Sequence, residues 1–92
     1  VVEVDEGSWL VSGLLRVEDL EETLGTRLAD DDYETVAGMI FTTLGRVPAV
    51  GKVVARNGFL FEVERADRRR IYRVKVTRDP NWRGDSEEDE EE

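Results

Sequence analysis

Apolar residues recur along this chain with two different periods, and the change of period divides it. Val17, Leu20 and Leu24 follow the i, i+3, i+7 spacing of one helix face. Glu18 and Asp19 fall in that helix's first turn, where carboxylates favour the helix dipole, and Gly25 stands where a C′ glycine ends a helix. A second helix carries Val36, Met39, Ile40, Thr43 and Leu44 at spacings of three and four. Its start is expected within Asp30-Asp31-Asp32-Tyr33-Glu34, with Asp31 capping free backbone N–H groups and Glu34 completing a capping box. Ala37 and Gly38 would let this helix approach a sheet closely, and Gly45 and Pro48 stop it.

After Gly51 the period becomes two. Residues 52–56 and 59–66 flank Asn57-Gly58, the dipeptide best suited to the positive φ values of a type I′ hairpin turn. Phe59, Phe61 and Val63 share one face of the second strand, with Glu62 and Glu64 opposite. A turn at residues 67–69 leads to a third strand over 70–78. There Val74 and Val76 alternate while Ile71 is out of phase, which predicts a bulge near Tyr72 and Arg73. Before the helices, Trp9-Leu10-Val11-Ser12 reads as a strand ended by Gly13. The pattern predicts an α+β domain of order β-α-α-β-β-β, with two helices packed on one face of a small antiparallel sheet. Residues 1–7 read as an extended linker from an upstream domain, 8–78 as the folded unit, and 79–92 as a disordered acidic tail.

Composition narrows the chemistry. The 92 residues contain neither Cys nor His. That removes disulfides, thiolate nucleophiles, Cys/His zinc sites and the usual general base near neutral pH, so no catalytic residues are assigned and no enzyme is expected. No apolar run is long enough to cross a bilayer, and the chain opens on Val1 with no targeting signal, so it reads as a soluble piece of a longer protein. The net charge of −9 is segregated: residues 1–44 carry −9, residues 45–78 carry +7 and residues 79–92 carry −7.

Several motifs taken together resemble the transporter-associated domain of the CorC/HlyC family. They are Gly-Ser-Trp-Leu-Val-Ser-Gly at 7–13, Asp-Tyr-Glu-Thr-Val-Ala-Gly at 32–38 and Leu-Gly-Arg-Val-Pro-Ala-Val-Gly-Lys-Val-Val at 44–54. Phe61-Glu62-Val63-Glu64 and the arginine-led strand at 70–78 complete the order. The resemblance implies a fold similar to the smaller lobe of PCMH-type flavin-binding folds. It also implies a place at the cytoplasmic face of the cell membrane, within a magnesium or cobalt efflux or hemolysin-like protein. The partners it implies are that protein's CBS and transmembrane regions, or a second copy of the domain. A non-catalytic regulatory role for a cation transporter is the expectation, with a flavin (FAD) or adenine-nucleotide binding module as the alternative.

Two charged runs are the remaining candidates. Asp30, Asp31, Asp32 and Glu34 offer oxygens to a cation but lack the spacing of a loop that wraps one ion, so capping is the expected role and no metal site is assigned. Arg68, Arg69, Arg70, Arg73, Lys75 and Arg78, with Tyr72 and Phe59 as stacking rings, make the last hairpin basic. The acidic tail would compete with phosphate for these arginines, so nucleic acid is not the expected partner; solvated arginines guarding a sheet edge account for the run. No cofactor-binding residue is identified, since neither a G-x-G-x-x-G nor a P-loop is present.

Overall fold

Asn57 and Gly58 have φ values of 49° and 93°, and the computed structural model, which describes residues 2–82, builds its sheet outward from the hairpin they close. The positive φ at both positions gives the turn a twist that matches the flanking strands. Those strands are β3 (Val53–Arg56) and β4 (Phe59–Ala66), and β4 continues through a turn at residues 67–70 into β5 (Ile71–Arg78). Earlier in the chain come β1 (Val2–Asp5), β2 (Ser8–Ser12), α1 (Val17–Leu24) and α2 (Val36–Leu44). All neighbouring strands are antiparallel, in the spatial order β1-β2-β5-β4-β3. The two helices therefore connect β2 on one side of β5 to β3 on the other.

The register puts Trp9, Val76, Phe61 and Val54 in one row across four strands, and Val11, Val74 and Val63 in the next. Val17, Leu20, Leu24, Val36, Met39 and Ile40 cover this face from the helices, and all of these side chains are buried. Each fully buried aliphatic or aromatic side chain contributes about 1.5–3 kcal/mol relative to exposure. The predicted irregularity in the last hairpin is present. Val63 pairs with Val74, Arg65 with Arg73 and Ala66 with Ile71, so Glu64 and Tyr72 are each an extra residue on their strand. That slip brings Ile71, three positions from Val74, onto the buried face.

Three expectations need correction. The sheet has five strands, because the segment expected as a linker contributes an edge strand at Val2–Asp5 that pairs with β2. Its side chains are all exposed, which is why apolar patterning did not mark it.

The second correction concerns α2, which starts later than the acidic run suggested. Its N-cap is Thr35, whose Oγ1 accepts the Gly38 N–H at 3.0 Å. Asp30 accepts the Asp32 N–H at 3.0 Å in a local turn instead, and among the described residues the side chains of Asp31 and Glu34 accept no N–H of α2. The cause is a short antiparallel bridge between Arg16 and Thr35. There the Val17 N–H donates to Glu34 C=O and the Val36 N–H to Leu15 C=O, both at 2.9 Å. The two helix starts thus satisfy part of each other's free donors, and α1 needs no side-chain cap. Tyr33, buried with its hydroxyl donating to Leu28 C=O at 2.7 Å, holds residues 30–34 in the turn that precedes this bridge.

Third, the chain does not leave the domain at residue 79. The Asp79 N–H donates to Gly58 C=O at 2.9 Å, and the Trp82 N–H to Asp79 C=O at 3.1 Å. The indole of Trp82 lies so close to Gly58 that a Cβ there would sit 2.9 Å from its Cδ1. Of the tail expected to be disordered over 79–92, residues 83–92 lie outside the described residues.

Candidate functional site

The structure scatters the basic residues that the sequence placed on one hairpin. Arg73 and Lys75 point to the sheet face away from the helices. Arg73 Nε stands 3.7 Å from Glu64 Oε1, and Lys75 lies across from Glu62. Arg78 is on the other face at the far end of β5, its guanidinium 5.7 Å from the Trp9 ring centroid and 5.6 Å from that of Phe59. Phe59 is buried beneath it and is no exposed stacking ring. Arg68, Arg69 and Arg70 occupy the turn at the opposite end, about 26 Å away along the eight residues of β4. β5 has a strand on each side, so its charges guard no sheet edge; the edges are β1 and β3.

Two of the concave regions among the described residues adjoin these groups. One lies between the C-terminal end of α1 and the β3–β4 turn. It encloses about 370 Å³ and is lined by Thr26, Arg27, Asp30, Arg56, Asn57 and Trp82. The Arg56 guanidinium lies 5.5 Å from the Tyr33 ring centroid and donates to Thr43 Oγ1 at 3.0 Å. Sequence inspection missed this cleft because its parts come from three separate segments, 26–30, 56–57 and 82; an aromatic at position 82 in an otherwise polar stretch was the available signal. The other region is an apolar groove of about 290 Å³ beside the basic turn, lined by Ala37, Phe41, Val47 and Ile71 with Arg69 and Arg70.

Asp67 organises that turn. Its carboxylate accepts from the Tyr72 hydroxyl and the Arg69 N–H, both at 2.7 Å, and from the Arg70 N–H at 3.0 Å. The Tyr72 hydroxyl first, then the two backbone donors, hold its pKa below the usual carboxylate value. Glu21 does the same for the loop after α1, accepting the Leu28 and Ala29 N–H groups at 2.6 and 2.5 Å, and its pKa is lowered chiefly by those two bonds. Both folded-state values lie below the unfolded ones. The stability these groups contribute is therefore present above the unfolded pKa, about 4 for such carboxylates, and is lost as pH falls through the folded values. Thermal midpoints are expected to fall on acidification below about pH 4.5, and Glu21→Gln to flatten that fall. A variant with the parent's full acid slope would exclude Glu21 as a contributor.

Among the described residues, no three His, Cys, Asp or Glu side chains come together where they could hold a metal ion. Asp30, Asp31, Asp32 and Glu34 form no such group, Asp30 being engaged in its local turn. No described helix is long and apolar enough to cross a membrane.

The family model described as "Transporter associated domain" matches residues 2–80. The chain belongs to this family, CorC_HlyC. Over 75 residues it is 36% identical to the magnesium and cobalt efflux protein CorC of Vibrio cholerae, a match covering 82% of this chain and 26% of that protein. The CorC protein of Escherichia coli K12 is also 36% identical, over 75% of this chain and 24% of its own length. This chain thus spans about a quarter of the curated relatives it matches. Among solved structures, the Mg2+ and Co2+ transporter (CorC) associated region of Neisseria meningitidis superposes with a TM-score of 0.82 at 29% identity. That match covers 85% of this chain and 96% of the other. A CorC_HlyC domain from a Xylella fastidiosa hemolysin, solved in complex with Mg2+ and Mn2+, gives a TM-score of 0.74 at 36% identity, covering 84% and 94% of the two chains. The α+β architecture, two helices on an antiparallel sheet, is that of CorC_HlyC domains.

Proposed function

We propose that this chain is a non-catalytic regulatory domain of a membrane-bound cation efflux protein of the CorC type. It acts at the cytoplasmic face, where it contacts the CBS and transmembrane regions of its own parent or a second copy of itself. The supporting observation is the family match over residues 2–80, in a chain that parallels only about a quarter of proteins named for magnesium and cobalt efflux. A modulating part fits that proportion better than the transport path, since no described helix can span a bilayer. The absence of His and Cys from the sequence argues for a binding role over a catalytic one. Flavin gains no support: both structural neighbours described above are transporter-associated domains.

The test is to remove residues 8–78 from the full-length parent and follow cellular magnesium and cobalt after a metal challenge. The expected result is a changed efflux rate, or a changed dependence on cation concentration, with the parent still inserted in the membrane at its normal level. Efflux indistinguishable from that of the intact protein would remove the regulatory role.

A further inference from the structure

We propose that the end of the domain carrying the β4–β5 turn is a contact surface for anionic lipid. Arg68, Arg69 and Arg70 follow one another on that turn, all exposed, and none forms an ion pair among the described residues. The turn's own carboxylate, Asp67, is occupied by Tyr72 and by the backbone of Arg69 and Arg70.

Large apolar side chains surround these cations. Phe41, 47% exposed, and Val47 line the groove that Arg69 and Arg70 border. Val50, 58% exposed, lies with Val47 and Pro48 beside Asp67 and Arg68. Leu14, 71% exposed, is placed next to Tyr72 by the hydrogen bond from Gly13 N–H to Tyr72 C=O. Exposed bulky apolar groups interleaved with unpaired arginines are what a headgroup layer accommodates: phosphates meet the guanidinium groups while the apolar groups enter the acyl boundary.

The apolar residues come from separate segments, Leu14 after β2, Phe41 from α2, and Val47 and Val50 from the loop before β3. That spread suits a soft surface that admits each one separately better than a single peptide side chain. Net charge does not forbid the contact. The charge of −9 is segregated along the chain, and residues 45–78, which carry the basic turn, sum to +7. The inference stands independently of the transport reading, because it concerns binding by this chain alone.

The test is co-sedimentation of the 92-residue chain with vesicles of phosphatidylcholine, with and without about 30 mol% phosphatidylserine. Binding is expected only with phosphatidylserine, and release on raising salt from about 0.1 to about 1 M. Each arginine near an anionic surface is worth about fivefold in affinity, so Arg68→Gln, Arg69→Gln and Arg70→Gln together are expected to weaken binding on the order of 100-fold. Leu14→Ser with Phe41→Ser, both at exposed positions, is expected to weaken binding while leaving the salt dependence unchanged. Circular dichroism melts of every variant separate lost binding from lost folding. No binding to anionic vesicles, or binding that survives the triple substitution, overturns the proposal. So does unchanged affinity in the Leu14/Phe41 variant. Capture of polyglutamate through the same arginines, with no vesicle binding, would assign the surface to an acidic protein instead.

Discussion

Gly13→Ala is expected to cost this domain about 3 kcal/mol or more, a large share of the 5–15 kcal/mol typical of folded domains. A Cβ added at Gly13 would stand 2.1 Å from the carbonyl oxygen of Ile71 and 3.3 Å from the Cβ of Ala37. The first contact is to backbone, so no rotamer change relieves it. Gly13 also donates to Tyr72 C=O and accepts from the Ala37 N–H, each at 2.9 Å. One residue thus joins the end of β2, the start of β5 and the first turn of α2, and any shift that admits a methyl group breaks one of these junctions. The thermal midpoint is expected to drop by about 12–24 °C, from roughly 4–8 °C per kcal/mol in a domain this size. Gly25→Ala is the control: φ there is +73° but a Cβ would meet nothing within 4 Å, so only the left-handed backbone penalty of about 1–2 kcal/mol applies. Equal losses at the two positions would mean that close approach at Gly13 is not the cause.

Local signals were legible where a residue's role depends on its sequence neighbours. The Asn57-Gly58 turn, the span of α1 and its glycine end, and the bulge at Tyr72 were readable because φ preference and apolar period act within a few residues. The ordered motifs at 7–13, 32–38 and 44–54 pointed to the family that the match over residues 2–80 establishes. What the sequence hid was set by partners distant along the chain. Residues 30–34 carry good capping chemistry, yet the pairing of Arg16 with Thr35 decides that α2 begins at Val36. β1 has no buried residue and exists only as the partner of β2. The central position of β5 follows from the crossover made by the helices, so its charges guard no edge, and alternation along the strand puts Arg73 and Lys75 on one face and Arg78 on the other. Trp82 looked like part of a polar tail because its neighbour Gly58 is 24 positions away.

The second large effect is expected at Phe61, where truncation to alanine tests both the core and the register that places it. Phe61 is fully buried in β4, paired with Val76 on one side and Val54 on the other, beneath the helical layer. Removing a ring from such a site leaves a cavity that rigid neighbours fill only in part, a loss of about 3–5 kcal/mol. The adjacent Leu60 pairs with Thr77 and Ala55 on the opposite face and is half-buried, so Leu60→Ala is expected to cost about 1 kcal/mol or less. Side chains alternate along a strand, so a one-residue slip of β4 would exchange these environments. Denaturant melts of the two variants at equal slope read the difference directly. A larger loss at Leu60 than at Phe61 would mean that the helices cover the other face of the sheet, and that the pairing of β4 with β5 is displaced by one residue.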